Sequence, residues 1–240
     1  RHNYTYGYDD NMNQRGYNNY VAFDSYNYRI KDWTNSTVLQ LNSTFSNKIS
    51  NELTLGYTTI KDRRHGTTDD APEMRITDNG VTVIAGPDRY SSANELDQKV
   101  FEVTDNLTYY AGDHAITLGT HNEFYHFRNL FLRDYFGYIT FSSYANFQAG
   151  KYASYSRTIS RTSDPYPSAE FDVAQYGFYL QDEWTVSPRL KVTYGVRVDI
   201  PTFPTTPLQN DSVSKYLAGY STSTVPESSL LFSPRVGFNY

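Results

Sequence analysis

The chain has 240 residues with 24 Tyr, 14 Phe, 2 Trp and no Cys, and its 21 basic and 26 acidic side chains leave a net charge of −5. The missing Cys rules out thiolate-based zinc, iron–sulfur and thiol chemistry, and an acidic balance without a Lys/Arg cluster argues against a nucleic-acid partner. A mean hydropathy of −0.64 and no apolar run near the roughly 20 residues of a spanning helix exclude a helical membrane protein, but not a barrel, in whose strands only every second residue meets lipid.

In chain order, a Tyr/Asn-rich stretch at 1–32 reads as a loop, and the first alternating segments follow at 33–46 and 49–61 around the tight polar joint Ser46-Asn47-Lys48. Trp33, Leu39, Leu41 and Phe45 share one face of the first, with Gln40, Asn42 and Thr44 on the other. Ile49, Leu53, Leu55 and Tyr57 continue on the second, against Glu52 and Thr54. A long connection at 62–98 leads to strands at 99–111 and 114–127 around Gly112-Asp113. Here Phe101, Val103, Leu107 and Tyr109 face the same way as Ile116, Leu118 and Phe124. After another long connection, 128–169, strands at 170–187 and 189–201 flank Ser187-Pro188-Arg189. That pair alternates most strictly, with Leu190, Val192, Tyr194, Val196, Val198 and Ile200 on one face of its second strand. A last connection, 202–230, precedes a strand at 231–240.

About ten alternating residues is the length a tilted strand needs to cross a bilayer, and short turns alternating with long loops are the signature of a barrel wall with periplasmic turns and extracellular loops. The predicted fold is therefore all-β: an antiparallel transmembrane β-barrel segment of about seven long strands. Facing residues must share a face, so Leu39 should pair near Leu55, Leu41 near Leu53, Leu107 near Leu118 and Leu180 near Val196. The rings of Trp33, Tyr57, Tyr109, Tyr176 and Trp184 are expected toward the ends of the apolar band, and Asp105 and Asp182 are anomalies on its lipid side.

The stretch from Tyr176 to Pro201, YGFYLQDEWTVSPRLKVTYGVRVDIP, resembles the barrel hairpin of TonB-dependent receptors through Tyr179, Gln181, Asp182, Trp184, Leu190, Gly195, Arg197 and Asp199. FSPRVGFNY at 232–240 is similar to the strand that follows it in that family. NELTLGYT at 51–58, THNEFYHFRNLF at 120–131 and YANFQAGKYASY at 144–155 are similar to the Oar-like branch found in Bacteroidota and Myxococcota. The resemblance implies a bacterial outer-membrane receptor whose barrel has about 22 strands and moves a solute into the periplasm. Its partners would be outer-membrane lipid, the TonB complex, the plug and remaining strands of the same protein, and possible surface lipoproteins or a larger assembly. The chain opens on Arg1 without initiator Met, leader, TonB box or plug, so the sequence is expected to be a fragment of that receptor.

The lumen-facing candidates are Gln181, Glu183, Lys191, Arg197 and Asp199, which either contact a plug or solute or brace the wall by cross-strand pairs. Tyr135, Phe136, Tyr138, Phe141, Tyr144 and Tyr152, with Phe147 and Tyr155, form an aromatic-rich loop suited to ligand capture or to packing of one loop on another. His114, His121 and His126 lack a third ligand at metal spacing, and Asp69-Asp70 and Asp182-Glu183 are neighbours that point apart on a strand. No catalytic constellation, cofactor or metal is therefore expected. A structural or secretion-associated barrel acting through its surface loops, and a secreted all-β binding protein, are the alternative functions.

Overall fold

A computed structural model describes residues 1–11, 19–68, 71–160 and 163–240; Asp69-Asp70 lies outside the described residues. In chain order the elements are β1 (His2–Asn11), β2 (Tyr20–Ala22), β3 (Tyr28–Ser46), β4 (Ile49–Gly66), β5 (Glu73–Asp78), β6 (Val81–Ala85), β7 (Asn94–Ala111) and β8 (His114–Phe131). They continue with β9 (Tyr138–Phe141), α1 (Tyr144–Gln148), β10 (Ser154–Ser156), β11 (Ala169–Ser187), β12 (Leu190–Thr202), α2 (Asp211–Tyr216) and β13 (Leu231–Asn239). Eight strands build one antiparallel wall in the order β1-β3-β4-β7-β8-β11-β12-β13, and five short ones build a second sheet in the order β10-β9-β5-β6-β2.

The wall follows from alternation and turn chemistry. At the tightest joint Gly112 has φ +64, which a two-residue turn with Gly at its first central position requires. The other two joints share a different device: the hydroxyl of Ser46 accepts from the N–H of Lys48 at 3.2 Å, and that of Ser187 from the N–H of Arg189 at 3.3 Å. Both carry a register irregularity beside the turn, between Thr44 and Ser46 and between Thr185 and Ser187. Leu39 pairs with Leu55, Leu41 with Leu53, Leu107 with Leu118 and Leu180 with Val196, as the facing of apolar rows demands.

The hairpin tips are not level. Ile49 stands opposite Tyr109, so Tyr110 and Ala111 reach past the first hairpin; His114 stands opposite Trp184, so Thr185–Ser187 reach past the second. This steady stagger is the shear of strands inclined to the axis of a curved wall.

Two features depart from the sequence reading. The 1–32 segment, expected as a loop, contains β1, which pairs along its whole length with β3 through Tyr6–Trp33 and Tyr4–Asn35. The strand holding Trp33 is therefore interior, and β1 and β13 are the edges of the wall. A backbone ladder needs no apolar side chain, and Tyr at alternate positions of β1 supplies the ring rows that pair with Trp33. The strands also run on past the apolar rows: β4, β7 and β8 are 18 residues each, and at the end with the long connections their alternate positions turn charged.

The second sheet is made from those long connections. β5 and β6 form a hairpin over Asn79 (φ +48) and Gly80 (φ +79), the pair of left-handed residues that a two-residue turn matching strand twist favours. β9 adds in parallel to β5, and β2 in parallel to β6. Ile84 of β6 and Phe141 of β9 are buried, at 4% and 8% exposed, as are Ala93, just before β7, and Leu130 of β8 at the long-connection end of the wall, at 4% and 2%.

Candidate functional site

The polar face of the wall is built around glycines. Gly7, Gly56, Gly119 and Gly177 stand directly opposite Asp32, Glu102, Tyr179 and Asp199. A Cβ at Gly119 would collide with the Tyr179 ring, and one at Gly177 would lie 2.6 Å from Nη2 of Arg197. Each glycine thus lets the long side chain across from it lie flat on the sheet, which accounts for glycine inside strands that it otherwise weakens. Tyr179 is fixed in that posture by its hydroxyl, which donates to Oδ1 of Asn106 at 2.6 Å.

All five lumen candidates lie on this face. Nζ of Lys191 meets Oε1 of Glu183 at 2.6 Å, and Nη2 of Arg197 meets Oδ1 of Asp199 at 2.7 Å. Arg197 also lies 5.7 Å from the centroid of the Tyr179 ring, and Gln181 lines a polar hollow of about 410 Å³ with Asn42, Glu52, Asn106, Thr117 and Tyr179. The four charged candidates are engaged with one another, while Gln181 opens onto free volume. His121, two strands away, lies 3.6 Å from both Glu102 and Glu123, and Thr104 bonds its Nδ1 at 2.8 Å. His114 and His126 belong to the opposite face, paired with Asp182 and Asp172 at 2.7 and 2.8 Å, so the three histidines do not converge.

The two anomalous acids of the apolar face are accommodated locally. Asp182 accepts from the hydroxyl of Tyr194 at 2.6 Å and contacts His114, whose ring stacks on Trp184 at 5.5 Å. Asp105 accepts from the side-chain amide of Asn51 at 2.6 Å.

At the far end the aromatic loop divides in two. Tyr138 on β9 lies beneath Arg89, whose guanidinium carbon is 3.6 Å from the ring centroid, and Phe141 packs edge-on against Phe147 at 5.2 Å. Tyr135 stacks on Tyr166 at 4.9 Å and meets Phe136 at 5.1 Å. These rings hold the loops together, whereas Tyr144 and Tyr152 stay 54% and 64% exposed.

A buried ionic chain runs through the same sheet, and sequence reading had singled out none of its charges. Arg89 makes a two-pronged pair with Asp134 at 2.5 and 2.8 Å, and Ser156 adds a donor to Oδ2 of Asp134 at 2.7 Å. Glu73, 1% exposed, accepts from Arg75 at 2.7 Å and from the N–H of Arg89 at 2.9 Å. Burial pushes the Glu73 carboxyl above its ordinary range against the opposing pull of these two donors. Burial, aided by the carboxylates of Glu73 and Asp88, pushes the Tyr26 hydroxyl up to about 12. The Asn79-Gly80 pair marks the β5–β6 turn in the sequence, but no local spacing marks these charges.

An apolar face exposed along one strand, with Leu39 64%, Leu41 59% and Phe45 68% exposed, suits an apolar medium. Comparison with known families agrees: residues 2–240 match the outer membrane beta barrel domain family. Searches of curated proteins and of solved structures return no match. The match sets aside a secreted all-β binding protein. In domains of this kind the apolar rows face lipid, the opposite face lines the lumen and the long connections lie outside the cell. The chain belongs to the outer membrane β-barrel domain family and resides in the outer membrane.

Proposed function

We propose that the chain is wall and extracellular surface of a TonB-dependent receptor that moves a solute into the periplasm. The observation that carries this reading is the lumen face: it presents Asp32, Glu52, Glu102, His121, Gln181 and Arg197 on six consecutive strands, with an open hollow beside Gln181. A small closed barrel fills its interior with side chains, whereas a wide one encloses water or a plug. The hairpin residues Tyr179, Gln181, Trp184, Gly195, Arg197 and Asp199, which resemble the receptor pattern, support the same reading. In this proposal the edges β1 and β13 pair with further strands of the barrel, because unpaired backbone groups in hydrocarbon cost several kcal/mol each. A plug supplies the gate, the TonB complex supplies the energy, and the chain performs no catalysis of its own.

A second reading, a structural or secretion-associated barrel working through its loops with a surface lipoprotein or larger assembly, is favoured by the exposed Tyr144 in α1 and Tyr152 in the segment that follows it. Photo-crosslinkers placed at Gln181 and Glu123 in cells separate the two. Crosslinks within the same polypeptide, to a plug, support transport. Crosslinks to a separate chain filling the lumen support the second reading and overturn the first.

A further inference from the structure

Above the apolar rows the lipid-facing side of the wall is charged, and its charges are not evenly satisfied. Arg63 pairs with Asp97 at 2.6 Å and Glu95 at 3.5 Å, and Arg128 pairs with Glu95 at 2.9 Å, Asp97 at 3.4 Å and Glu170 at 3.7 Å. His126 meets Asp172 at 2.8 Å. The acids of this belt are thus taken up by Arg63, Arg128 and His126. Three lysines remain: among the described residues, the side chains of Lys31, Lys61 and Lys99, on strands held in the wall by their backbones, make no ion pair or hydrogen bond.

Their placement is ordered. Lys31 stands opposite Arg63 and Trp33 opposite Lys61, so Lys31 and Lys61 are diagonal neighbours on β3 and β4. Lys61 stands opposite Asp97 and Thr59 opposite Lys99, so Lys61 and Lys99 are diagonal neighbours on β4 and β7. Diagonal positions on one face are about 7–8 Å apart, within reach of a single polyanionic group. Below them on the same strands and the same face come the rings of Trp33, Tyr57 and Phe101, where the apolar rows begin. Beside the middle lysine an open groove of about 560 Å³ is lined by Tyr4, Trp33, Lys61, Arg63, His65 and Glu95.

We propose that the Lys31–Lys61–Lys99 diagonal binds the phosphate of a phosphorylated lipid in the outer leaflet, with its acyl chains descending past Trp33, Tyr57 and Phe101. Charge complementarity selects an anion, because every acid in the belt is already engaged. Position selects a lipid-borne one, because the lysines point away from the lumen and the groove is walled by rings that suit the headgroup–acyl boundary. The proposal rests on the outer-membrane family and holds for either function above.

The test uses the whole protein extracted from its own membrane in mild detergent and exchanged into phosphatidylcholine nanodiscs, with synthetic bis-phosphorylated lipid A as probe. Binding is read by native mass spectrometry. Each Lys→Gln change should weaken lipid A binding about fivefold and the triple K31Q/K61Q/K99Q on the order of a hundredfold, the size expected for cations at a charged membrane surface. Lys48→Gln, at a turn on the opposite side of the membrane, should change nothing. Heat-modifiable gel mobility shows that each variant is folded, and Lys61→Arg should restore most of the loss as a second cation. Equal binding by the triple variant, or equal binding of dephosphorylated lipid A, overturns the proposal. Full displacement of lipid A by millimolar inorganic phosphate overturns the lipid source.

Discussion

The wall and the extracellular sheet are built from the same chain under opposite rules. In the wall Leu39, Leu41 and Phe45 are 59–68% exposed and the opposite face is polar; in the small sheet Ile84 and Phe141 are 4% and 8% exposed. The medium decides. Hydrocarbon removes the reason to hide apolar side chains but forbids an unpaired backbone group, so the wall is specified by its ladders and by period-two alternation. Water restores the ordinary hydrophobic rule, so the sheet formed by the loops needs a core and a satisfied ionic network inside it. The boundary between the two regimes falls within single strands such as β4, where Leu55 and Tyr57 give way to Lys61 and Arg63 on the same face.

That contrast can be broken from the water side first. Asp134→Ala leaves Arg89, whose side chain is 12% exposed, buried beside Tyr138 without its carboxylate. Removing one partner of a buried pair costs about 3–5 kcal/mol. Hydrogen exchange should accelerate across β5, β6 and β9 while the wall keeps its protection. Equal acceleration in β11 and β12 would show that the two regions share one cooperative unit.

From the lipid side, Val196→Arg should cost roughly 2–4 kcal/mol near the middle of the bilayer, whereas Thr193→Arg, one face over on the same strand, should cost far less. Urea unfolding midpoints in vesicles give both numbers. Similar midpoints for the two variants would deny the faces their different surroundings.

A third change tests the joints of the wall itself. Gly119→Val forces the Tyr179 ring off the sheet and should cost about 1–3 kcal/mol as an overpacking strain. Combining it with Tyr179→Ala should recover most of that loss, and purely additive effects would mean the ring does not rest on Gly119.

The smallest effect concerns pH. Glu73 holds its proton more tightly in the folded sheet than in the unfolded chain, so its contribution to stability is present at low pH and is lost as pH rises through its elevated range. Exchange protection of β5 should therefore increase on acidification from neutral pH into the carboxylate range, and Glu73→Gln should flatten that slope. An unchanged slope in the variant would assign the dependence to another group.

How much of this was written in the sequence follows the same division. Registers such as Leu107–Leu118 and Leu180–Val196 were legible because lipid reads one face of a strand and a slip by one residue reverses it. The extensions of β4, β7 and β8 were not, since their outward positions become Arg63, Asp97 and Arg128 and the apolar period ends where lipid ends. β1 was hidden by its Asn and Asp content, although Tyr4, Tyr6 and Tyr8 do alternate. Among the candidate residues, Lys191–Glu183 and Arg197–Asp199 could be placed on the lumen face from parity alone. The Glu73–Arg89–Asp134 chain could not: it joins residues from separate loops, and no local spacing encodes such a contact.

The central claim is that one face of each wall strand meets lipid and the other does not. A chain without cysteine allows a direct measurement: single Cys substitutions from Leu190 to Ile200, each carrying a fluorophore, with brominated lipid and aqueous iodide as competing quenchers. The account predicts strict alternation, with lipid quenching at 192, 194, 196 and 198 and iodide quenching at 191, 193, 195, 197 and 199. Uniform quenching by iodide along the strand, or alternation of the opposite phase, would contradict it.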